Sequence, residues 1–194
     1  MKAVFCTPTR NRPHQAFIAA LEASVPALEK AGIEHFIVTE VGSAYISWAR
    51  ANMLRKALDI NPDAVVFIDD DLSWRPEDLV ALLKTKPPVV SGLYRFKQDE
   101  ERYMGELDTT ASGRVKGNDE GLLSATKVPG GFLKITPDAV VSIMQKHPEL
   151  VFGVPYRPLV DLFNHGSHGG LWWGEDYAFS RRWVEDGNDL WVLP

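Results

Sequence analysis

At 194 residues, with 45% hydrophobic and 24% charged side chains, the chain has the make-up of one ordinary globular domain with a sizeable core. Its formal charge of −5 argues against a broad basic surface for nucleic acid, and its one cysteine, Cys6, excludes an internal disulfide and fits a reducing cytoplasm. No apolar run approaches a membrane span, and the run before Thr7-Pro8 is too short for a signal peptide.

In chain order, Lys2 to Cys6 reads as a buried strand, followed by a polar loop rich in turn formers from Thr7 to Pro13. A helix is expected from His14 to Ala31, with Phe17, Leu21, Val25 and Leu28 on one face and Gly32 as its stop. Glu34 to Thr39 is a second strand. Ser43 to Leu58 is a second helix, ended by Asn61-Pro62. Ala64 to Ile68 is a third strand. Pro76 suits the first position of a helix, and the two acids after it suit the helix dipole. Val89 to Leu93 is a fourth strand. This alternation predicts a parallel sheet with helices on both faces.

The second half changes character. Tyr103 to Leu107 and Leu122 to Lys127 flank a polar stretch with Gly113, Gly117 and Gly121, which predicts an antiparallel excursion or a mobile loop. Phe132 to Ile135 is a strand, and Thr136-Pro137 caps a helix running through Met144. His165 to Gly170 reads as a loop, and Glu175 to Asp186 as a helix stopped by Gly187. The last residues, from Asp189 to Pro194, read as a strand with nothing after it, as in a chain cut from something longer or a minimal version.

The stretch that bears most on function is Val65-Val66-Phe67-Ile68-Asp69-Asp70-Asp71. It has the pattern of a buried parallel strand ending abruptly in three carboxylates. Adjacent acids repel one another, so packing alone does not account for them. A divalent cation does, because carboxylates are hard oxygen ligands for magnesium or manganese, and open α/β sheets bind ligands beyond the carboxyl ends of their strands. A solvated acidic turn before the helix at Pro76 is the alternative.

In order and spacing these features resemble nucleotide-sugar glycosyltransferases of the GT-A fold, the large family 2 group in particular. Four motifs from Val4 to Trp183 carry the resemblance: Thr7-Pro8-Thr9-Arg10-Asn11-Arg12, Ala49-Arg50-Ala51-Asn52, Asp69-Asp70-Asp71, and Trp172-Trp173-Gly174-Glu175-Asp176-Tyr177. The resemblance implies a single α/β domain over residues 1–194 with a Rossmann-like, mostly parallel sheet flanked by helices. Residues 1–95 would form the nucleotide- and metal-binding half, and residues 96–194 a smaller mixed half for acceptor and catalysis. It implies that Thr7, Pro8, Thr9 and Arg10 hold the base and ribose, and that Arg50, Asp69 and Asp70 lie near the nucleotide. Asp69 and Asp71 would hold Mn2+ or Mg2+ on the diphosphate. Asp176 would be the general base, with Glu175 beside it. Val128-Pro129-Gly130-Gly131-Phe132 matches a family element lining the donor pocket, so Gly130 and Gly131 join the nucleotide-sugar set.

The chain departs from the family in three places. One residue is inserted into the Ala-Arg-Asn element. Glu40 stands where relatives carry an acid that contacts the base. A histidine ligand expected beyond the last strand is absent, leaving His165 or His168 as a substitute.

The expected function is therefore a cytoplasmic, metal-dependent transferase of hexosyl type. It would move a sugar from a nucleoside diphosphate donor, uridine by default, to an acceptor hydroxyl with inversion. The acceptor is left open among saccharide, protein, lipid-linked sugar and modified nucleobase. Residues Lys97 to Gly121 would form a flap over the donor. Three other readings stand beside it. One is a non-catalytic carbohydrate- or nucleotide-binding protein, whose tryptophans stack on sugar rings. Another is a phosphatase similar to the haloacid dehalogenases. The third is a sugar nucleotidyltransferase, which needs a glycine-rich loop after strand one that Thr7 to Pro13 does not provide.

Overall fold

The computed structural model describes residues 1–194. Twelve strands and five helices follow in the order β1 (Lys2–Thr9), α1 (Gln15–Lys30), β2 (Glu34–Val41), α2 (Ile46–Leu58), β3 (Ala64–Ile68), α3 (Pro76–Lys84), β4 (Val89–Gly92), β5 (Glu106–Leu107), β6 (Leu123–Lys127), β7 (Phe132–Ile135), α4 (Pro137–Lys146), β8 (Val151–Val154), β9 (Arg157–Val160), β10 (Gly166–His168), β11 (Leu171–Trp173), α5 (Glu175–Glu185) and β12 (Trp191–Leu193). A single 3₁₀ turn at Pro148–Leu150 leads into β8.

Eight strands form one mixed sheet in the order β2-β1-β3-β7-β4-β12-β6-β5. β1 pairs in parallel with β2 and β3, and β12 with β4. β7 runs antiparallel between β3 and β4, and β6 antiparallel to both β12 and β5. This corrects the purely parallel expectation for the first half: β4 does not lie beside β3, because β7 folds back from the second half and separates them. The architecture is α/β with helices on both faces, compatible with a Rossmann-like fold.

The period-2 alternation of the strands splits the core into two layers. Val4, Cys6, Val65 and Phe67 face α2, α4 and α5, where Met53, Ile143 and Phe179 meet them. Ala3, Phe5, Val66 and Ile68 face α1 and α3, where Phe17, Leu28 and Leu79 meet them. β3 is fully buried along its length because both its faces are covered.

Several boundaries shift for local reasons. β1 continues through Thr7–Thr9, where a loop is expected from the sequence. Its pairing with β3 ends at Cys6, whereas its pairing with β2 continues to Thr9. Pro8 therefore sits where one strand edge is open and its missing N–H costs no ladder bond. β2 likewise runs on to Val41, and Gly42 turns the chain at φ 75°, so that α2 begins at Ile46 and not at Ser43.

The segment from His165 to Gly170 is part of the β10–β11 hairpin and not an open loop. Gly169 and Gly170 have φ of 59° and 77°, which is the backbone a type I′ turn needs at both central positions. The β8–β9 hairpin, turned at Pro155-Tyr156, has little signature in the sequence because Pro158 demotes its second strand. It packs on α2 through Trp48 and Phe152. β12, read as a strand with nothing after it, is an interior strand of the main sheet with both edges paired.

Candidate functional site

The candidate site lies where β3 ends. Asp69 leaves the strand with its N–H donating to the Gly131 carbonyl at 2.9 Å, which ties the acids to the Gly130-Gly131 pair ahead of β7. The Asp70 carbonyl accepts from the His14 N–H at 2.8 Å, which links the triplet to the start of α1. Asp69 and Asp71 line a cleft of 730 Å³, together with Arg50, Tyr94, Glu175 and Asp176. Asp70 is not part of that lining. The chain thus brings acids from the end of β3 and the start of α5 to one cavity, although more than a hundred residues separate them.

Arg50 organises the cleft from below. It sits on α2, and only 2% of it is exposed. Its Nη2 donates to Asp69 Oδ1 at 3.0 Å and lies 3.9 Å from Glu175 Oε1. The guanidinium rests 4.8 Å above the Phe163 ring, with Phe67 on a second side. Nε and Nη1 are buried without a hydrogen-bond partner. A Cβ at Gly130 would collide with Arg50 Nη1, and one at Gly131 would meet the Asp69 carboxylate and the Tyr94 hydroxyl, so a side chain at either position would displace these groups.

The electrostatics follow from this packing. Burial pushes the Asp69 carboxyl above its ordinary range; Arg50 pulls it back, and Asp71 and Glu175 push it further up. Asp176 is also raised, first by burial and then by the Glu175 charge, while the N–H groups of Tyr177 and Gly130 oppose the shift. Its carboxylate accepts from the Tyr177 N–H at 2.8 Å. Ser180 fixes the helix carrying it, accepting from the Val128 N–H at 3.1 Å and donating to the Asp176 carbonyl at 2.9 Å. The Tyr94 hydroxyl accepts from the Gly131 N–H at 3.0 Å, and burial raises its pKa, with Asp69 adding to the effect.

The other expected residues fall elsewhere. Pro8, Thr9, Arg10 and Glu40 line a second cleft of 500 Å³ that reaches Ala49, next in sequence to Arg50. The two clefts therefore flank the start of α2. The Glu40 carboxylate is held by Asn52 at 2.7 Å and Lys56 at 2.9 Å, which gives Asn52 a role. Thr7 and Thr9 are buried with unpartnered hydroxyls, and Thr7 does not line the cleft. His168 is not brought to the acids. It lies 3.8 Å from Glu185 at the far end of α5, and ten residues of helix correspond to about 15 Å from Glu175. Tyr94 is a further residue of the cleft. Its signal is an aromatic set among Arg95 and Lys97 just past a buried strand.

Lys97 forms an ion pair with Asp71, and Arg50 takes one oxygen of Asp69. No group of three or more His, Cys, Asp or Glu side chains is close enough to hold a metal ion as the side chains stand. The donor set nevertheless suits magnesium or manganese, which bind through one or two carboxylates and complete their shell with water and substrate phosphates. Asp69 and Asp71 are the two residues that fit.

No family model matches the chain, and no curated protein matches it either. No helix is long and apolar enough to cross a membrane.

Proposed function

We propose that this protein is a metal-dependent glycosyltransferase of GT-A architecture. It moves a sugar from a nucleoside diphosphate donor, uridine by default, to an acceptor hydroxyl. The observation that carries this reading is the convergence of Asp69, Asp71, Glu175 and Asp176 on one cleft from positions more than a hundred residues apart. The neighbouring cleft at Pro8, Thr9, Arg10 and Glu40 supports it, since a base and ribose there would direct the diphosphate past α2 toward Asp69 and Asp71.

In this reading Asp69 and Asp71 would hold the dication, whose positive charge would offset that of a diphosphate leaving group. Arg50 keeps Asp69 and Glu175 in position. Asp176 accepts the acceptor's hydroxyl proton as the new oxygen–C1 bond forms and the bond from C1 to the phosphate oxygen breaks, which inverts the anomeric centre. Burial and the Glu175 charge raise the Asp176 carboxyl, which makes its carboxylate a stronger base than an exposed aspartate. The Gly105 N–H donates to the Tyr177 hydroxyl at 3.2 Å, which joins the segment after β4 to α5 and gives a flap over the donor a fixed edge.

The test is a thermal-shift screen of nucleotide sugars with and without manganese. Binding to the native state alone raises its stability by mass action. A metal-dependent shift with a uridine diphosphate sugar is the expected result, and no shift with any nucleotide sugar overturns the reading. A second reading, a non-catalytic binder of the same fold, is favoured by one observation: Lys97 already occupies Asp71. Asp176→Asn separates the two. The enzyme loses turnover and keeps donor binding, whereas a binder shows no turnover to lose.

A further inference from the structure

A third cavity, of 380 Å³, opens beside the acid cleft. Leu72, Ser73 and Tyr94 line both, so the two spaces share a wall. Its far side is aromatic. Trp74 and Phe132 stand with ring centroids 5.6 Å apart at 35°. Trp74 is locked in place: its Nε1–H donates to Ser24 Oγ at 3.0 Å, and the edge of Phe17 packs on it at 5.3 Å. Phe132 lies so close to Gly92 that a Cβ there would strike its ring. These walls are therefore set before any ligand arrives, and a preorganised pocket binds more tightly than one that must be ordered.

The polar groups at the rim narrow the choice of ligand. Arg75 and Asp78 bond each other through two contacts, at 3.0 and 2.7 Å, so these two side chains largely cancel each other's charge. The Tyr94 hydroxyl oxygen already accepts from the Gly131 N–H. A bare pyranose would bring several hydroxyls to a wall with few free partners, at a desolvation cost. A neutral planar ring loses little by entering and gains aromatic contact. An apolar cavity of about 150 Å³ holds benzene, so 380 Å³ has room for two fused rings.

We infer that this cavity is an acceptor subsite for a neutral planar ring, with the substituent that bears the reacting hydroxyl projecting past Ser73 and Tyr94 into the acid cleft. The inference deepens the transferase reading and rests on it for the word acceptor. The binding claim itself rests only on the cavity.

The test compares 2-naphthyl β-glucoside with methyl β-glucoside, which differ only in the ring, by isothermal calorimetry on the full chain. Ala81 lines the cavity from an exposed position on α3, so Ala81→Phe fills the space without entering the core. The naphthyl compound is expected to bind at least about tenfold more tightly than the methyl compound, the ratio that burying one ring supplies. Ala81→Phe should abolish that preference and leave the thermal shift with uridine diphosphate and manganese unchanged. As a second readout, the Trp74 indole N–H resonance, assigned with Trp74→Phe, should move with the naphthyl compound only. Equal binding of the two glucosides, a preference that survives Ala81→Phe, or a static Trp74 resonance overturns the subsite. If the ring preference holds and responds to Ala81→Phe while no nucleotide with manganese shifts the melting point, the transferase reading fails and the ring site stands.

Discussion

Replacing Arg50 by methionine removes a buried cation while keeping an apolar stem in its place. Arg50 Nη2 is 3.0 Å from Asp69 and 3.9 Å from Glu175. At an effective dielectric of about 20, each carboxylate feels on the order of 4–6 kcal/mol of attraction. Holding the guanidinium out of water offsets much of this, and Nε and Nη1 gain nothing in return because they lack partners. Removing one member of a buried pair costs about 3–5 kcal/mol when the other is left without a counterion. Asp69 keeps 32% of its side chain in solvent, which puts the expected loss at the low end, about 3 kcal/mol near neutral pH.

The loss should also depend on pH with a definite sign. Burial already raises the Asp69 carboxyl and Arg50 pulls it down, so without Arg50 it rises further. A carboxyl raised in the folded state supports folding at low pH and loses that support as pH climbs through its folded pKa. The deficit of Arg50→Met is therefore larger at about pH 7.5 than at about pH 5. Urea unfolding of wild type and variant at both values measures it. Adding Asp69→Asn to Arg50→Met should recover part of the loss. A deficit under about 1 kcal/mol at the higher pH, or one that does not shrink on acidification, refutes the counterion role of Arg50.

Three further perturbations follow from the same geometry. Gly131→Ala puts a Cβ 2.5 Å from the Tyr94 hydroxyl and 2.8 Å from the Asp69 Cγ. It is expected to cost about 1–3 kcal/mol of stability and to weaken the metal-dependent thermal shift with uridine diphosphate. Asp176→Asn should lower turnover by roughly 10²–10⁴-fold at unchanged donor affinity. The acidic limb of the wild-type rate profile should lie above the ordinary carboxylate range, because burial and then Glu175 raise Asp176. Lys134, buried in β7 and donating to the Thr85 carbonyl and hydroxyl at 2.6 Å, is lowered to about 8 by burial. The unfolded chain therefore binds this proton more readily above pH 8. Wild-type stability should gain a contribution as pH rises from about 8 to about 10.5, a gain that Lys134→Met lacks when melting temperatures are compared across that window.

What was legible in the sequence was local. Ala64 to Ile68 is apolar throughout and ends at the first acid, so composition alone bounds β3. Pro76 and Thr136-Pro137 mark helix starts because proline fits the first turn and threonine caps it, and the Thr136 side chain does accept from the Ala139 N–H. Neighbour order in the sheet was not legible. Phe132 to Ile135 reads as a strand, but nothing within it says that it inserts antiparallel between β3 and β4. Arg50 was ambiguous for the same reason. A helix arginine is more often solvated, and what draws this one inward is Asp69, 19 residues on, together with Glu175 in another helix. His168 misled because a histidine in a glycine-rich run carries no directional information. The hairpin turn at Gly169-Gly170 sends it toward Glu185.

An acid triplet at the rim of a buried strand has to be balanced by something, and this cleft is nearly balanced without a ligand. Asp69, Asp71, Glu175 and Asp176 line it against Arg50, Arg95 and Lys97, which leaves one unit of negative charge when every group is ionised. Burial and mutual repulsion already push Asp69 and Asp176 toward their neutral forms, as a small surplus of negative charge requires. A nucleoside diphosphate sugar adds roughly two more negative charges and would be repelled by such a cleft unless cations accompany it. Under the proposed function one dication would reverse the sign of the cavity and make the diphosphate the better counterion. Lys97, drawn from Asp71 toward the incoming phosphates, would then strengthen the same attraction from the flap side. On this balance the proposed metal and donor would bind cooperatively, each weakly alone, and the cooperativity would depend on the acids remaining one charge ahead of their arginine and lysine partners.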